Sequence, residues 1–391
     1  MHGAPVSDLT EKRLSGAVGR LGDGPDRRAA IARLHRSVAQ CIPDMRSRAR
    51  ELDSLAAFPA ADIDALRDRG VLLAPLPLRH GGLGLGTEPA GAIGLFDLLR
   101  VLGGGNLAVG RIVEGHVNAL QLICLYGNEA QIARAAEDAA CGHLFAIWNT
   151  EAPPGVRRGK DGVLTGRKSH GSAAGSATRA VITVDHPGRS RLLMVLMRPG
   201  ERTGANPDAL HGMRAAQSGW IDFDFYAPRA ADWIGDPGDY LREPAFSAGA
   251  WRALAVILGG IEALVDQMRG QLHARGRDGN AHQAARIAQA LIAQETASLW
   301  ILKAARLEES VDVRPEDITS YVGLARRAVE MAAMEAIQLV QRSLGLAALV
   351  DTNPVELLVR DLATYLRQPA LDEAVEEAAA HFVTAPLPSE P

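Results

Sequence analysis

About one hundred residues of strand-type pattern, 143–243, stand between two helical regions, and this order restricts the chain more than any other feature. The segments 144–148, 179–184, 191–197 and 220–226 are short, β-rich and separated by Gly, Pro and Asp. From Ile221 the run Ile-Asp-Phe-Asp-Phe alternates in polarity, as a half-buried strand does. Strands inserted as one block make a small barrel or sandwich layer; a parallel βαβ sheet needs strands and helices in turn. The expected fold class is mainly α with a central β-domain.

The flanking segments carry helical periodicity. Ile31, Leu34, Val38 and Ile42 recur at three- and four-residue steps on one face. Phe58-Pro59 opens a further helix, with Ile63 and Leu66 on its buried side and Gly70 as a left-handed stop. Pro75-Leu76-Pro77 through Gly81-Gly82-Leu83-Gly84 reads as an ordered turn, and helices are expected around 89–103 and 108–126. From Phe246 onward the helices lengthen. Ala325, Val329, Ala332, Ala336, Val340 and Leu344 form an apolar stripe dense in small residues, which permits close helix approach and suits helix pairing in a homo-oligomer. The expected organisation is a tail at 1–26, helices at 27–142, the β-domain at 143–243, a helical bundle at 244–384 and a tail at 385–391.

Composition removes several function classes. A net charge of −4 without clustered cations gives no surface for nucleic acid. The apolar run 253–261 is flanked by Arg252 and Glu262 and falls short of the ~20 residues that span a bilayer, so it reads as a buried helix. No apolar stretch follows Asp8, Glu11 and Lys12, as a signal peptide would require, and a cytoplasmic protein is expected. Cys41, Cys124 and Cys141 lie far apart with no His at ligand spacing. They read as small buried hydrophobes, and no metal site is expected.

Six local motifs, in order, resemble the acyl-CoA dehydrogenase superfamily. Asp53, Phe58-Pro59, Leu66, Gly70 and Pro77 with Gly81-Gly82-Leu83-Gly84 is similar to its N-terminal segment. Tyr126 to Gln131 resembles its Gly-Thr-x-x-Gln turn, and Thr150-Glu151-Ala152 its Thr-Glu-Pro at the flavin. Gly166 to Ser172 is similar to the Gly-x-Lys-x-Trp-Ile-Thr strand. Gly212-Met213-Arg214 with Ser218 resembles the start of the closing strand, and Pro354 to Asp361 the Pro-x-Glu-x-x-x-Arg-Asp signature. The resemblance spans about residues 30–382 and implies an N-terminal helical domain, a small β-barrel and a C-terminal four-helix bundle.

A flavin needs a cover for its ring, hydrogen bonds to the ring edge and donors for its phosphates. The resemblance places Trp148, Asn149 and Thr150 at the ring edge, Ser172 where a Thr hydroxyl meets the ring, and His170 where an aromatic ring covers it. Imidazole stacks less well than indole but titrates near neutrality; a surface histidine is the plainer alternative. Arg275 aligns with an arginine that reaches the FAD pyrophosphate of a neighbouring subunit, although Asp278 replaces the expected Phe. Gln341 and Gly345 keep only part of the Gly-rich adenosine turn. Pro153-Pro154-Gly155-Val156-Arg157-Arg158 replaces an acidic Gly-x-Gly-Ser-Asp phosphate turn. The implied cofactor is FAD, or FMN if the protein is monooxygenase-like.

The family's catalytic glutamate lies eight residues after the Arg-Asp pair, which here is Pro369. The alternative position, early in the first helix after the β-domain, reads Ala250-Trp251-Arg252-Ala253 and offers no carboxylate. Glu373 is a weak candidate base, since it belongs with Glu376 and Glu377 to an acidic face that reads as solvated. Trp251, Tyr365 and Leu366 are candidate pocket residues. Three readings stand: an acyl-thioester oxidoreductase with its base elsewhere, a flavin monooxygenase of the same fold, or a non-catalytic binding or assembly member. The implied partners are a small-molecule substrate, acyl-CoA among the options, a homodimer or homotetramer mate, and an electron-transfer or flavin-reductase protein.

Overall fold

The computed structural model describes residues 24–186, 188–205 and 210–389, so the tail read at 1–26 lies almost wholly outside the described residues, as do the last two residues of the tail read at 385–391. Helix α1 (Pro25–Ala39) begins inside that stretch, with Pro25 in the first turn, where a missing N–H costs nothing. The face predicted from Ile31 to Ile42 is divided between two helices. The chain breaks at Cys41, and α2 (Ile42–Leu55) restarts with Pro43 in its first turn. Then come α3 (Ala60–Asp68), α4 (Ala92–Gly105), α5 (Leu107–Tyr126) and α6 (Glu129–Ala140). Asn106 separates α4 from α5 by accepting the Ala108 and Val109 N–H groups on its side chain. Asn128 and Gln131 form a reciprocal capping box at α6, and the Gln131 amide also donates to the Ala231 and Trp233 carbonyls at 3.0 and 2.8 Å. One glutamine therefore starts a helix and fastens it to the next domain.

Eight strands follow: β1 (Phe145–Trp148), β2 (Glu151–Arg158), β3 (Leu164–Gly171), β4 (Arg179–His186), β5 (Arg189–Leu196), β6 (Thr203–Ala205), β7 (Gly219–Asp222) and β8 (Trp233–Ile234). They pair in the order β6-β7-β3-β2-β4-β5-β8, with β1 beside β4. The pairs are antiparallel except that β1 and β2 run parallel to β4. The alternation predicted to Phe225 ends early. Asp222 accepts the Asp224 N–H at 2.8 Å, Asp224 accepts the Gly166 N–H at 2.7 Å, and Phe225 turns out to solvent, 85% exposed. Two short acids thus close a turn where polarity alone implied a continued strand.

The last region holds α7 (Ala245–Ala248), α8 (Trp251–Ala274), α9 (Ala281–Glu308), α10 (Pro315–Leu344), α11 (Pro354–Tyr365) and α12 (Leu371–Phe382). Helix α8 packs against α4, α9, α10 and α11 and forms the centre of the fold. By length and composition the stretch Ala245–Ala274 could cross a bilayer, a wider window than the run 253–261; its most apolar window is 89% buried inside the fold. Its apolarity is accounted for by this central place. The small-residue stripe from Ala325 to Leu344 is also buried within the chain, so it is not available to a second copy. Of the cysteines, Cys41 is buried but Cys141 is exposed, because it lies at the capping end of α6.

Two contacts fix the frame. Helices α4 and α8 touch backbone to backbone: a Cβ on Gly259 would lie 2.0 Å from the Arg100 carbonyl oxygen, and one on Gly103 2.1 Å from that of Val256. His116, wholly buried on α5, accepts the Phe145 N–H on Nδ1 at 3.1 Å and donates from Nε2 to the Leu72 carbonyl at 2.9 Å. That geometry requires a neutral ring, and burial lowers its pKa to about 4.

Gly259→Ala is expected to destabilise the fold by about 1–3 kcal/mol, whereas Gly270→Ala, on an open helical surface, gains about 0.5–1 kcal/mol; urea denaturation separates the two. His116 titrates near 6.5 when unfolded and about 4 when folded, so its contribution is complete above pH 6.5 and is lost as pH falls towards 4. The loss amounts to about 3 kcal/mol. Unfolding free energies for wild type and His116→Gln should diverge in pH dependence between those limits, and parallel profiles would refute this.

Candidate functional site

Three adjacent strand ends bring the first group of predicted residues together. Trp148 closes β1 fully buried, and its indole Nε1 donates to the Ser172 carbonyl at 2.9 Å. Asn149 comes next; its Oδ1 accepts the Thr183 N–H at 2.9 Å, while its Nδ2 is buried without a hydrogen bond. The Thr150 carbonyl accepts the Ser169 N–H at 2.9 Å, and its side chain is exposed. On β3, His170 is exposed with φ +53°, and Gly171 leaves room for Trp148, whose ring would lie 2.7 Å from an added Cβ. Ser172 is half-buried; two residues further on, Ala174 and Gly175 line a cleft of about 410 Å³ with Ala56, Arg214 and Gln217.

Arg275, Gln341 and Gly345 form a second group, on the helical bundle. Arg275 is exposed in the α8–α9 turn, with Nη2 3.4 Å from the Gln271 side-chain oxygen of its own helix. Gln341 lies in a groove of about 670 Å³ with Glu330, Met331, Met334 and Arg367. Gly345 ends α10 with φ +63° and is exposed. Pro369 is exposed and offers only its carbonyl, which accepts from Arg326 at 2.5 Å. Glu373 faces solvent on α12, as the acidic face around it implied, and is not turned inward as a base.

A third group is one that sequence reasoning caught only at its edges. Trp251 and Tyr365 are buried, as is Leu366, and the two aromatics end a chain of polar side chains running through the helical interior. Trp251 Nε1 donates to Glu308 Oε2 at 2.5 Å, and Glu308 also holds Arg252. Arg252 donates to Asn118 Oδ1 at 3.2 Å; Asn118 donates to Glu114 Oε1 at 2.5 Å; Glu114 holds Arg111. The Tyr365 hydroxyl lies against Arg111 and Glu114 without a well-formed hydrogen bond, and burial raises its pKa. The Tyr240 phenol, likewise raised by burial, faces Asn149 and Arg111 and so joins this chain to the strand ends. Arg252 Nε is buried and unpartnered.

The carboxylate absent from residues 250–253 is therefore delivered through space by Glu308 from α9. A signal for the cluster was present: Arg111, Glu114, Asn118 and Gln121 recur at helical spacing on the mostly apolar α5. Buried polar atoms without partners are uncommon, and here Asn149 Nδ2, Tyr365 Oη and Arg252 Nε belong to one connected set. Chemically, the arrangement can offer donors to an acceptor-bearing ligand, but its two carboxylates, Glu114 and Glu308, are already engaged by arginines.

Removing one partner of the buried pair leaves the other charge unpaired. Arg252→Met should cost about 3–5 kcal/mol in urea denaturation, and the double variant Arg252→Met/Glu308→Leu should recover most of it. Equal losses in the single and double variants would show that packing around Arg252, not charge, dominates.

No known family's sequence profile matches the chain. The Bacillus subtilis (strain 168) protein YdbM, assigned by name to the acyl-CoA dehydrogenases, is 23% identical over 375 residues, covering 86% of this chain and 93% of its own. Butyryl-CoA dehydrogenase from Megasphaera elsdenii superposes with a TM-score of 0.78 at 16% identity, over 93% of this chain and 99% of its own. The dibenzothiophene monooxygenase TdsC of Paenibacillus sp. A11-2, in its FMN-bound form, gives 0.76 at 18% identity, over 92% and 99%. With superpositions of this quality over more than nine-tenths of each chain, the chain has the acyl-CoA dehydrogenase fold.

Proposed function

We propose that this chain is a flavin-dependent oxidoreductase whose flavin ring rests on the joined ends of β1 and β3. The observation that carries this reading is the Asn149 amide, anchored through its oxygen and with its buried Nδ2 making no well-formed hydrogen bond, although the Tyr240 phenol faces it, where the resemblance puts the ring edge. A bound flavin supplies hydride acceptance when oxidised and reactivity towards oxygen when reduced. The protein's own groups bind and orient. Asn149 and Ser172 offer hydrogen bonds, Thr150 and His170 border the ring, and Trp148 acts as a positioning residue by holding the Ser172 carbonyl.

An oxygen-using reaction is the better supported of the two chemistries. Proton abstraction needs a free base, yet Pro369 cannot ionise, Glu373 faces solvent, and Glu114 and Glu308 are held by arginines. A flavin reductase would then be the partner. Acyl-thioester oxidation is the second reading, favoured by Glu308 lying against Trp251, with an electron-transfer protein as partner. The polar interior suits a substrate with acceptor atoms better than a hydrocarbon tail. A second copy is proposed on the exposed apolar side chains Ile292, Leu299, Met331, Met334, Leu346 and Leu349, as a homodimer or homotetramer.

Asn149→Asp keeps the acceptor for Thr183 but removes the amide donor, and should weaken flavin binding by about tenfold. Flavin-loaded protein titrated anaerobically with butyryl-CoA should not bleach, and supplied reduced flavin should be oxidised by oxygen faster than in buffer. Bleaching that Glu308→Gln abolishes would instead establish the thioester reading. Unchanged flavin affinity in Asn149→Asp would remove the ring-edge assignment.

A further inference from the structure

Resting on the flavin reading above, we infer that the flavin is recognised through its ring alone: among the described residues the chain has no seat for flavin phosphates, so riboflavin, FMN and FAD bind alike. A phosphate seat needs free backbone N–H groups, a cation, or both. Neither segment that the family pattern assigns to this task supplies them.

The first segment is residues 153–156, on β2. Pro153 and Pro154 have no N–H to give. The Val156 N–H is taken by the chain's own Glu151, whose Oε2 accepts it at 3.2 Å. The same carboxylate oxygen lies 3.0 Å from where a Cβ on Gly155 would stand, so an internal anion occupies the place a phosphate would need. The cation beside it is also spent. Lys168 is fully buried and paired to Glu151, with a second bond to Thr183 Oγ1 at 2.8 Å. A phosphate arriving there would meet the Glu151 carboxylate, and the two cations that follow are drawn elsewhere, Arg157 to Asp185 at 3.5 Å and Arg158 Nε to the Gly162 carbonyl at 3.3 Å.

The second segment is the α8–α9 turn, which a neighbouring copy would have to deliver. Its backbone donors are used internally: Arg275 and Arg277 N–H both reach the Leu272 carbonyl, at 3.2 and 2.9 Å, and Gly276 N–H reaches that of His273 at 2.9 Å. The Asp278 carboxylate draws on the N–H groups of residues 278 and 279. It also accepts from His273 Nδ1 at 2.7 Å, and this bond holds its pKa below the ordinary carboxylate range, so the turn carries a fixed anion near neutral pH. Arg275 and Arg277 are exposed, and exposed guanidiniums without supporting N–H groups add little affinity in salt. A copy that brought these arginines to a pyrophosphate would bring Asp278 with them.

The test is equilibrium dialysis of the full-length protein against riboflavin, FMN and FAD, at low and high salt, with Arg275→Ala in parallel. The expected result is three dissociation constants within about fivefold, equivalent to about 1 kcal/mol, with little salt dependence and no change in the variant. FAD binding tenfold or more tighter than riboflavin, or a tenfold loss of FAD affinity in Arg275→Ala, overturns the inference. Binding of none of the three, oxidised or dithionite-reduced, would instead sink the flavoprotein reading itself, and the inference with it. The two failures are therefore distinguishable.

Discussion

A single dipeptide on α11 ties the three parts of the fold together. The Arg360 guanidinium spans Asp53 of the N-terminal helices at 2.8 and 3.2 Å, Glu356 of its own helix at 2.7 Å, and the His211 carbonyl beside the β-domain at 2.7 Å. Asp361 accepts the Met213 N–H at 2.6 Å from the same loop, and burial pushes its pKa up to about 7. A planar fork suits this task because it serves several acceptors at once in fixed directions. The loop so held, around Met213 to Gln217, lines one cleft with Ala174 and Gly175, and the Ala216 carbonyl accepts the Ala173 N–H at 2.8 Å. The segment that follows β3 thus depends on a helix far along the chain.

Sequence periodicity and motif order made the architecture legible because they report local facts: which face is apolar, where a turn must be, which short strings recur. The Arg360-Asp361 pair was visible as a string, but its partners Asp53, His211 and Met213 were not, since each is more than a hundred residues away. The interior polar chain shows the same limit. Glu308 reads as one more charge near a helix end, and only packing of α9 against α8 sets it on Trp251 and Arg252. Local chemistry also misled in places. Polarity alternation continued past Asp222, but two aspartates had turned the chain; and a stripe of small residues matched both internal packing and pairing with a second copy, which the sequence could not separate.

Charges inside a helical core need a reason, because well-packed apolar residues would serve stability as well or better. Here two arginines and two glutamates are balanced along a path from Arg111 to Glu308, with Asn118 as the neutral link. Balance keeps the desolvation cost tolerable, and the unmatched atoms at Arg252, Tyr365 and Asn149 leave that path open to one more set of acceptors. Stability alone does not account for such an arrangement. It reads as a recognition surface turned inward.

The backbone contact between α4 and α8 bears on how this interior can change over evolutionary time. With Gly103 and Gly259 pressed against carbonyl oxygens, the helix that carries Trp251 and Arg252 has no slack to slide or tilt. A lineage seeking a new substrate must therefore exchange side chains at fixed positions, one polar partner compensating another, and substitutions along the Arg111–Glu308 path should be inherited in sets.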